Sequence, residues 1–156
     1  MSVQNDGASS SAERALALVE AAIRRLGIDP DASRSERPGH VAFALRRGSA
    51  RILIAIHEPA GEREEARIRV VAPVVKLPDE AKHLDLFRWL LQANAAELVG
   101  AAFALSANEV VVVSERSTTD LDASEVDSMI RNVGRVADRY DDEIADSFDA
   151  VRSSDA

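Results

Sequence analysis

The chain has 156 residues, with 19 Lys and Arg against 27 Asp and Glu and a net charge of −8. Cysteine is absent, which excludes disulfides, thiolate nucleophiles and Cys-type metal sites, and an acidic chain argues against general binding to nucleic acid or to anionic membrane. No apolar run approaches the roughly 18 residues that span a bilayer, and the start lacks the basic and apolar regions of a signal peptide, so a cytoplasmic protein without membrane attachment is expected.

Residues 1–9 are rich in Ser, Asn, Asp and Gly and are predicted as a disordered arm. Ser10 and Glu13 fit a capping box that opens a helix. Leu16, Val19, Ile23 and Leu26 follow at helical spacing with Ala15 and Ala22 between them, and Gly27 is placed to end the helix in a left-handed conformation. Asp29–Gly39 reads as a loop. Val41, Phe43 and Leu45 alternate, the turn residues Gly48 and Ser49 intervene, and Ile52, Ile54 and Ile56 alternate again, which is a hairpin pattern. Pro59–Glu65 reads as a charged loop, and Ile68, Val70, Ala72 and Val74 as a third strand whose end Pro73 pushes toward an edge or an irregularity. These three strands suggest an antiparallel meander.

A second helix begins near Asp79, and its expected apolar face is Leu84, Phe87, Leu91, Ala95 and Leu98, with Leu86 and Trp89 off that stripe. Ala101–Leu105 and Glu109–Glu115 read as a second hairpin, and Val110–Val113, apolar on both faces, as a strand that is central or covered twice. Asp122 and Glu125 form the clearest helix start in the chain, followed by the stripe Val126, Met129, Ile130, Val133, Val136, Ala137, Tyr140, Ile144 and Phe148. The expected fold is therefore α+β: helix, three-stranded antiparallel meander, helix, β-hairpin and long C-terminal helix. A single domain over residues 10–150 and a disordered tail over 151–156 complete the expected organisation.

The segment Leu90-Leu91-Gln92-Ala93-Asn94, then Gly100, Phe103, the strand Val110–Val113 and the last helix with Asp138-Arg139-Tyr140 resembles the YbjN family, which is related in fold to the type III secretion chaperones. The likeness spans roughly Ala12–Ile144. It implies an α+β sheet with helices against it, frequent dimers and a chaperone-like or regulatory binding role. It brings no catalytic residues.

The residues themselves point the same way. His40, His57 and His83 lack the spacing of a helical or strand metal site, and no nucleophile elbow or phosphate loop is present. No catalytic set, metal or cofactor is expected. His57 beside Glu58 is the one acid–base alternative, and a purely structural dimer is another. Asp138, Asp141, Asp142, Glu143, Asp146 and Asp149 crowd one helix end; a cation site is conceivable there, but residues on one helix diverge, so a solvated face is expected. Asn94 is read as tying down the helix end or the next loop, with a ligand contact as the alternative. From Asp120 to Ala156 there are 11 acids and four Arg, a balance of −7, while Arg34 to Arg69 holds eight Arg and five Glu, a balance of +3. Alternation places Arg51, Leu53, Arg67, Arg69 and Val71 off the core-facing rows. That mixed face is the expected binding surface for a protein or peptide segment. Trp89 serves as a core residue or as the anchor of a homodimer interface.

Overall fold

The computed structural model describes residues 5–59, 61 and 65–155, with residues 5–10 as backbone only. In chain order the elements are α1 (Asn5–Arg25), α2 (Pro30–Ser33), β1 (Arg34–Arg37), β2 (His40–Arg47), β3 (Ala50–His57), β4 (Arg67–Lys76), a 3-10 turn (Glu80–Lys82), α3 (His83–Ala96), β5 (Ala102–Ser106), β6 (Glu109–Ser117) and α4 (Ala123–Phe148). The strands form one six-stranded sheet in the order β1-β2-β3-β4-β6-β5, and the class is α+β as expected.

The predicted meander has a fourth strand. Arg34–Arg37, read as loop from the sequence, pairs antiparallel with β2, from Arg34 opposite Phe43 to Arg37 opposite His40. A short charged run carries no periodicity of its own, so only the partner strand makes it a strand. Gly39, at φ 69°, permits the reversal between them. Pro73 stands inside β4, which continues to Lys76. At the two ends of the β4–β6 pair, Thr118 N–H donates to Ala66 O at 2.9 Å and Leu77 N–H to Asn108 O at 2.8 Å, which sets an antiparallel register.

The chain forms two compact units. The first comprises Met1–Leu45, Leu53–Val70 and Glu115–Ile130. Its core is aliphatic apart from Phe43: Ala12, Ala15, Val19, Ala22 and Ile23 of α1, with Phe43, Leu45, Ile54, Ile56, Ile68, Val70, Val126, Met129 and Ile130, are all buried. Leu26, expected on the α1 stripe, is half exposed. Beyond it Gly27 takes φ 77° while its N–H donates to Arg24 O and that of Ile28 to Ile23 O. Those two bonds are a complete Schellman end. The start of α1 differs from expectation. The helix already includes Asn5, so Ser10 does not open it, and the side chains of 5–10 lie outside the described residues. Of the expected arm, 1–4 lie outside the described residues and 5–9 are helical. Residues 60 and 62–64 of the charged loop also lie outside them. Thr118 is buried and satisfied, its Oγ1 donating to Ala66 O at 3.1 Å and meeting Ser11 Oγ at 3.0 Å.

The capping box at α4 forms as predicted. Asp122 N–H donates to Glu125 Oε2 and Glu125 N–H to Asp122 Oδ1, both at 2.9 Å. The Ser124 hydroxyl first, and then the Glu125 N–H, hold the Asp122 carboxyl below its ordinary range.

The second unit comprises Arg46–Ile52, Val71–Ser114 and Arg131–Ala156. Its core holds Ile52, Ala72, Val74, Val75, Leu86, Leu90, Ala93, Phe103, Val110, Val111, Val112, Val133, Val136, Ala137, Tyr140 and Ile144. Consecutive burial of Val110–Val112 confirms a strand covered on both faces. Phe103 lies opposite Val112 in the β5–β6 hairpin, and Ala107 takes φ 51° in its turn. In the hairpin between β2 and β3, Gly48 at φ 60° supplies the first central position that a II′ turn requires.

Two expectations fail in this unit. The inward face of α3 is Leu86, Leu90 and Ala93, while Leu84 and Leu91 are each 68% exposed. And residues 151–153 of the expected disordered tail are held against β4. Lys76 N–H donates to Val151 O at 2.8 Å and Ser153 N–H to Val74 O at 2.9 Å, an antiparallel bridge onto β4. Ser153 is buried with its hydroxyl on Glu109 Oε1, and Arg152 reaches Asp142 and Asp155. A polar tail gives no apolar pattern to read; backbone pairing, which no side chain announces, holds it.

Candidate binding surface

In the first unit, alternation turns one row of side chains away from the core. Leu53, Arg67, Arg69 and Glu115 are exposed on it, and His40 and His57 are half-buried. Glu115 takes both arginines: its Oε1 accepts from Arg67 Nη1 at 3.0 Å and its Oε2 from Arg69 Nη1 at 3.1 Å. Exposed pairs of this kind stabilise by about 0–1 kcal/mol each, so they organise the row more than they hold it together. His40 and His57 face each other with Nδ1 to Nδ1 at 3.1 Å and ring centroids 4.6 Å apart. Burial, then His40, then Arg67 hold the His57 imidazole below its ordinary value, against the Glu115 carboxylate. Adjacency in sequence sets His57 beside Glu58, whereas the structure directs its Nδ1 at another imidazole. Hairpin register carries the missed signal, because counting outward from the Gly48–Ser49 turn sets His40 opposite His57.

Of the expected binding residues, the structure brings Leu53, Arg67 and Arg69 together in this unit. Arg51 and Val71 belong to the second unit. There Arg51 lines a small cleft with Arg46, Asp141, Ser153 and Ser154. Burial raises the Asp141 carboxyl above its ordinary value.

The rest of the second unit's surface is defined by α3. Leu84, Phe87, Leu91 and Ala95 line an open, apolar groove along its outer side, edged by Arg88 and Gln92. On the inner side Trp89 is half-buried, with Phe103, Tyr140 and Phe148 at ring distances of 6.0, 5.8 and 6.2 Å. Asn94 clasps the edge strand: Phe103 N–H donates to its Oδ1 at 2.7 Å and its Nδ2 donates to Phe103 O at 3.1 Å. Its amide thus stands in for a missing neighbouring strand, the structural one of its two readings. The acids at the end of α4 are spread as expected of a solvated face. Asp142 pairs with Arg152 and Asp149 with Lys82, and Ser49 Oγ donates to Asp138. Among the described residues, no three His, Asp or Glu side chains converge as a metal site, and no helix is long and apolar enough to cross a membrane.

The family model described as "YbjN: Putative bacterial sensory transduction regulator" matches residues 15–146. The chain belongs to the YbjN family. This member has the fold seen in several solved complexes. The ExsC–ExsE complex matches with a TM-score of 0.56 at 14% identity, over 85% of this chain and 95% of that one. The HopA1–SchA chaperone–effector complex matches at 0.56 and 10%, over 85% and 97%. The heterodimeric ExoU–SpcU complex from the type III secretion system of Pseudomonas aeruginosa matches at 0.53 and 15%, over 77% and 92%. At these identities the likeness is one of fold. No curated protein matches the chain in sequence.

Proposed function

We propose that this YbjN protein is a non-enzymatic, cytoplasmic binding module that works as a homodimer and holds a protein or peptide segment. The observation that carries the reading is the outer groove of α3. Leu84 and Leu91 are each 68% exposed and stand with Phe87 and Ala95 in one apolar strip. A contiguous strip of this kind marks an interaction site more often than a solvated helix face. We assign it to the dimer contact. Trp89, the expected anchor of that contact, is half-buried with its ring against Phe103 and Tyr140. The partner segment lies on the outward row of the first unit, with apolar contact at Leu53 and carboxylates meeting Arg67 and Arg69. Arg51 and Val71 offer a separate contact in the second unit. The matched solved structures support the reading, one being a chaperone–effector complex and another a heterodimeric complex.

Light scattering at micromolar concentration should give a dimer mass for the parent and a monomer mass for Leu84→Asp with Leu91→Asp. A monomeric parent would remove the dimer. Leu53→Asp, in a protein of unchanged stability, should lose the partners that co-purify with the parent. Unchanged partners would remove the sheet row from the reading. Activity that disappears in His57→Gln would favour the enzyme alternative.

A further inference from the structure

We propose that His40 and His57 form a two-imidazole site for a divalent transition metal of the zinc, nickel or copper class. The argument starts from the strand ladder. Glu58 N–H donates to Gly39 O at 3.0 Å. Antiparallel pairs alternate, so the next pair inward, His40 with His57, is one without hydrogen bonds, where side chains stand closest. The two Nδ1 atoms then lie 3.1 Å apart. Metal–imidazole bonds of about 2.0–2.1 Å at tetrahedral or right angles place two ligand nitrogens roughly 2.9–3.4 Å apart. The observed spacing falls inside that range, so both rings reach one ion with little movement.

Metals bind neutral imidazole. The row beside the pair carries Arg67 and Arg69. Those arginines repel a cation, but Glu115 binds both and offsets much of their charge. In the metal-free state one Nδ1 carries a proton and the other accepts it. On binding, that proton passes through solvent to Nε2 of its own ring, so both Nδ1 lone pairs turn to the metal and no net proton is released. Two protein ligands leave the other coordination positions to water or to a side chain from a partner. Affinity should follow the usual order, with copper above nickel and zinc.

The test uses the full chain without a histidine tag. Ni²⁺ alone should raise the parent's Tm in proportion to the logarithm of its concentration, as expected for a ligand of the folded state. The rise should vanish in His40→Gln and in His57→Gln, and persist in His83→Gln. His83 serves as the control because it lies in the other unit, with its ring nitrogen on Pro78 O at 2.9 Å. No rise in the parent, or an equal rise in the two Gln variants, would overturn the site. A second readout needs no variant. Substoichiometric Cu²⁺ should broaden the ring proton resonances of His40 and His57 before those of His83, and equal broadening of all three would also overturn it.

Discussion

Helix α4 buries Val126, Met129, Ile130, Val133, Val136, Tyr140 and Ile144, whereas α3 leaves Leu84 and Leu91 facing out. Both helices show apolar residues at helical spacing. In α4 the remaining positions are mostly charged or polar, so only one face can be buried. In α3 apolar residues occupy two faces, Leu84, Phe87, Leu91 and Ala95 on one and Leu86, Trp89, Leu90 and Ala93 on the other. Periodicity then shows that an apolar face exists without showing which one the core takes. Asn94 settles the choice. Its two bonds to Phe103 fix the rotation of the helix, and with that rotation Leu90 and Ala93 turn inward and Leu91 and Ala95 outward.

The sharpest way to break this contrast is a pair of truncations. Ile130→Ala should destabilise by roughly 2–5 kcal/mol, the usual range for a buried aliphatic. Leu91→Ala should stay within about 0.5 kcal/mol when measured on the monomer. Similar losses in chemical denaturation would show that the two stripes are used alike. Next in size, Asn94→Ala should cost about 1–3 kcal/mol, because Phe103 loses partners for both of its outward backbone groups. A neutral result would mean that α3 is oriented by packing alone.

A smaller effect is expected at the start of α4. Asp122→Ala should speed hydrogen exchange of the Glu125 amide while leaving α3 unchanged. Acid separates the regions further. His57 is held below 6.5 in the folded state, so the unfolded chain binds more protons between the folded value and 6.5. Stability should therefore be full above about 6.5 and fall as pH drops through that window, with the slope flattened in His57→Gln. Asp122 is held below 3.8. Its contribution is present above that value and is lost only as pH falls through its folded pKa. Mild acid thus loads the first unit's sheet end, and stronger acid reaches the α4 cap. A single transition, unaffected by His57→Gln, would contradict this order.

Most of the fold was legible because it is written in short-range signals. The Schellman end at Gly27, the capping box at Asp122 and the alternation in β2, β3 and β4 each need only neighbours in sequence. What escaped depends on distant partners. Arg34–Arg37 is a strand only against β2, and residues 151–153 are held only by β4. The candidate surface was legible as far as alternation reaches: Leu53, Arg67 and Arg69 do face outward. Their engagement by Glu115, 48 residues from Arg67, was not readable from pattern. The His40–His57 pair follows from hairpin register rather than from residue spacing along the chain.

The Asn94 clasp also bears on the order in which the chain can assemble. It joins residues only nine apart, whereas the buried Thr118–Ser11 bond joins residues 107 apart. By the logarithmic law of loop closure, the longer loop costs about 2 kcal/mol more entropy before any contact compensates. The end of α3 and the β5 edge can therefore find their register while the α1 contacts are still open. An early nucleus there would slow folding when Asn94 is replaced, whereas replacing Thr118 would mainly quicken unfolding.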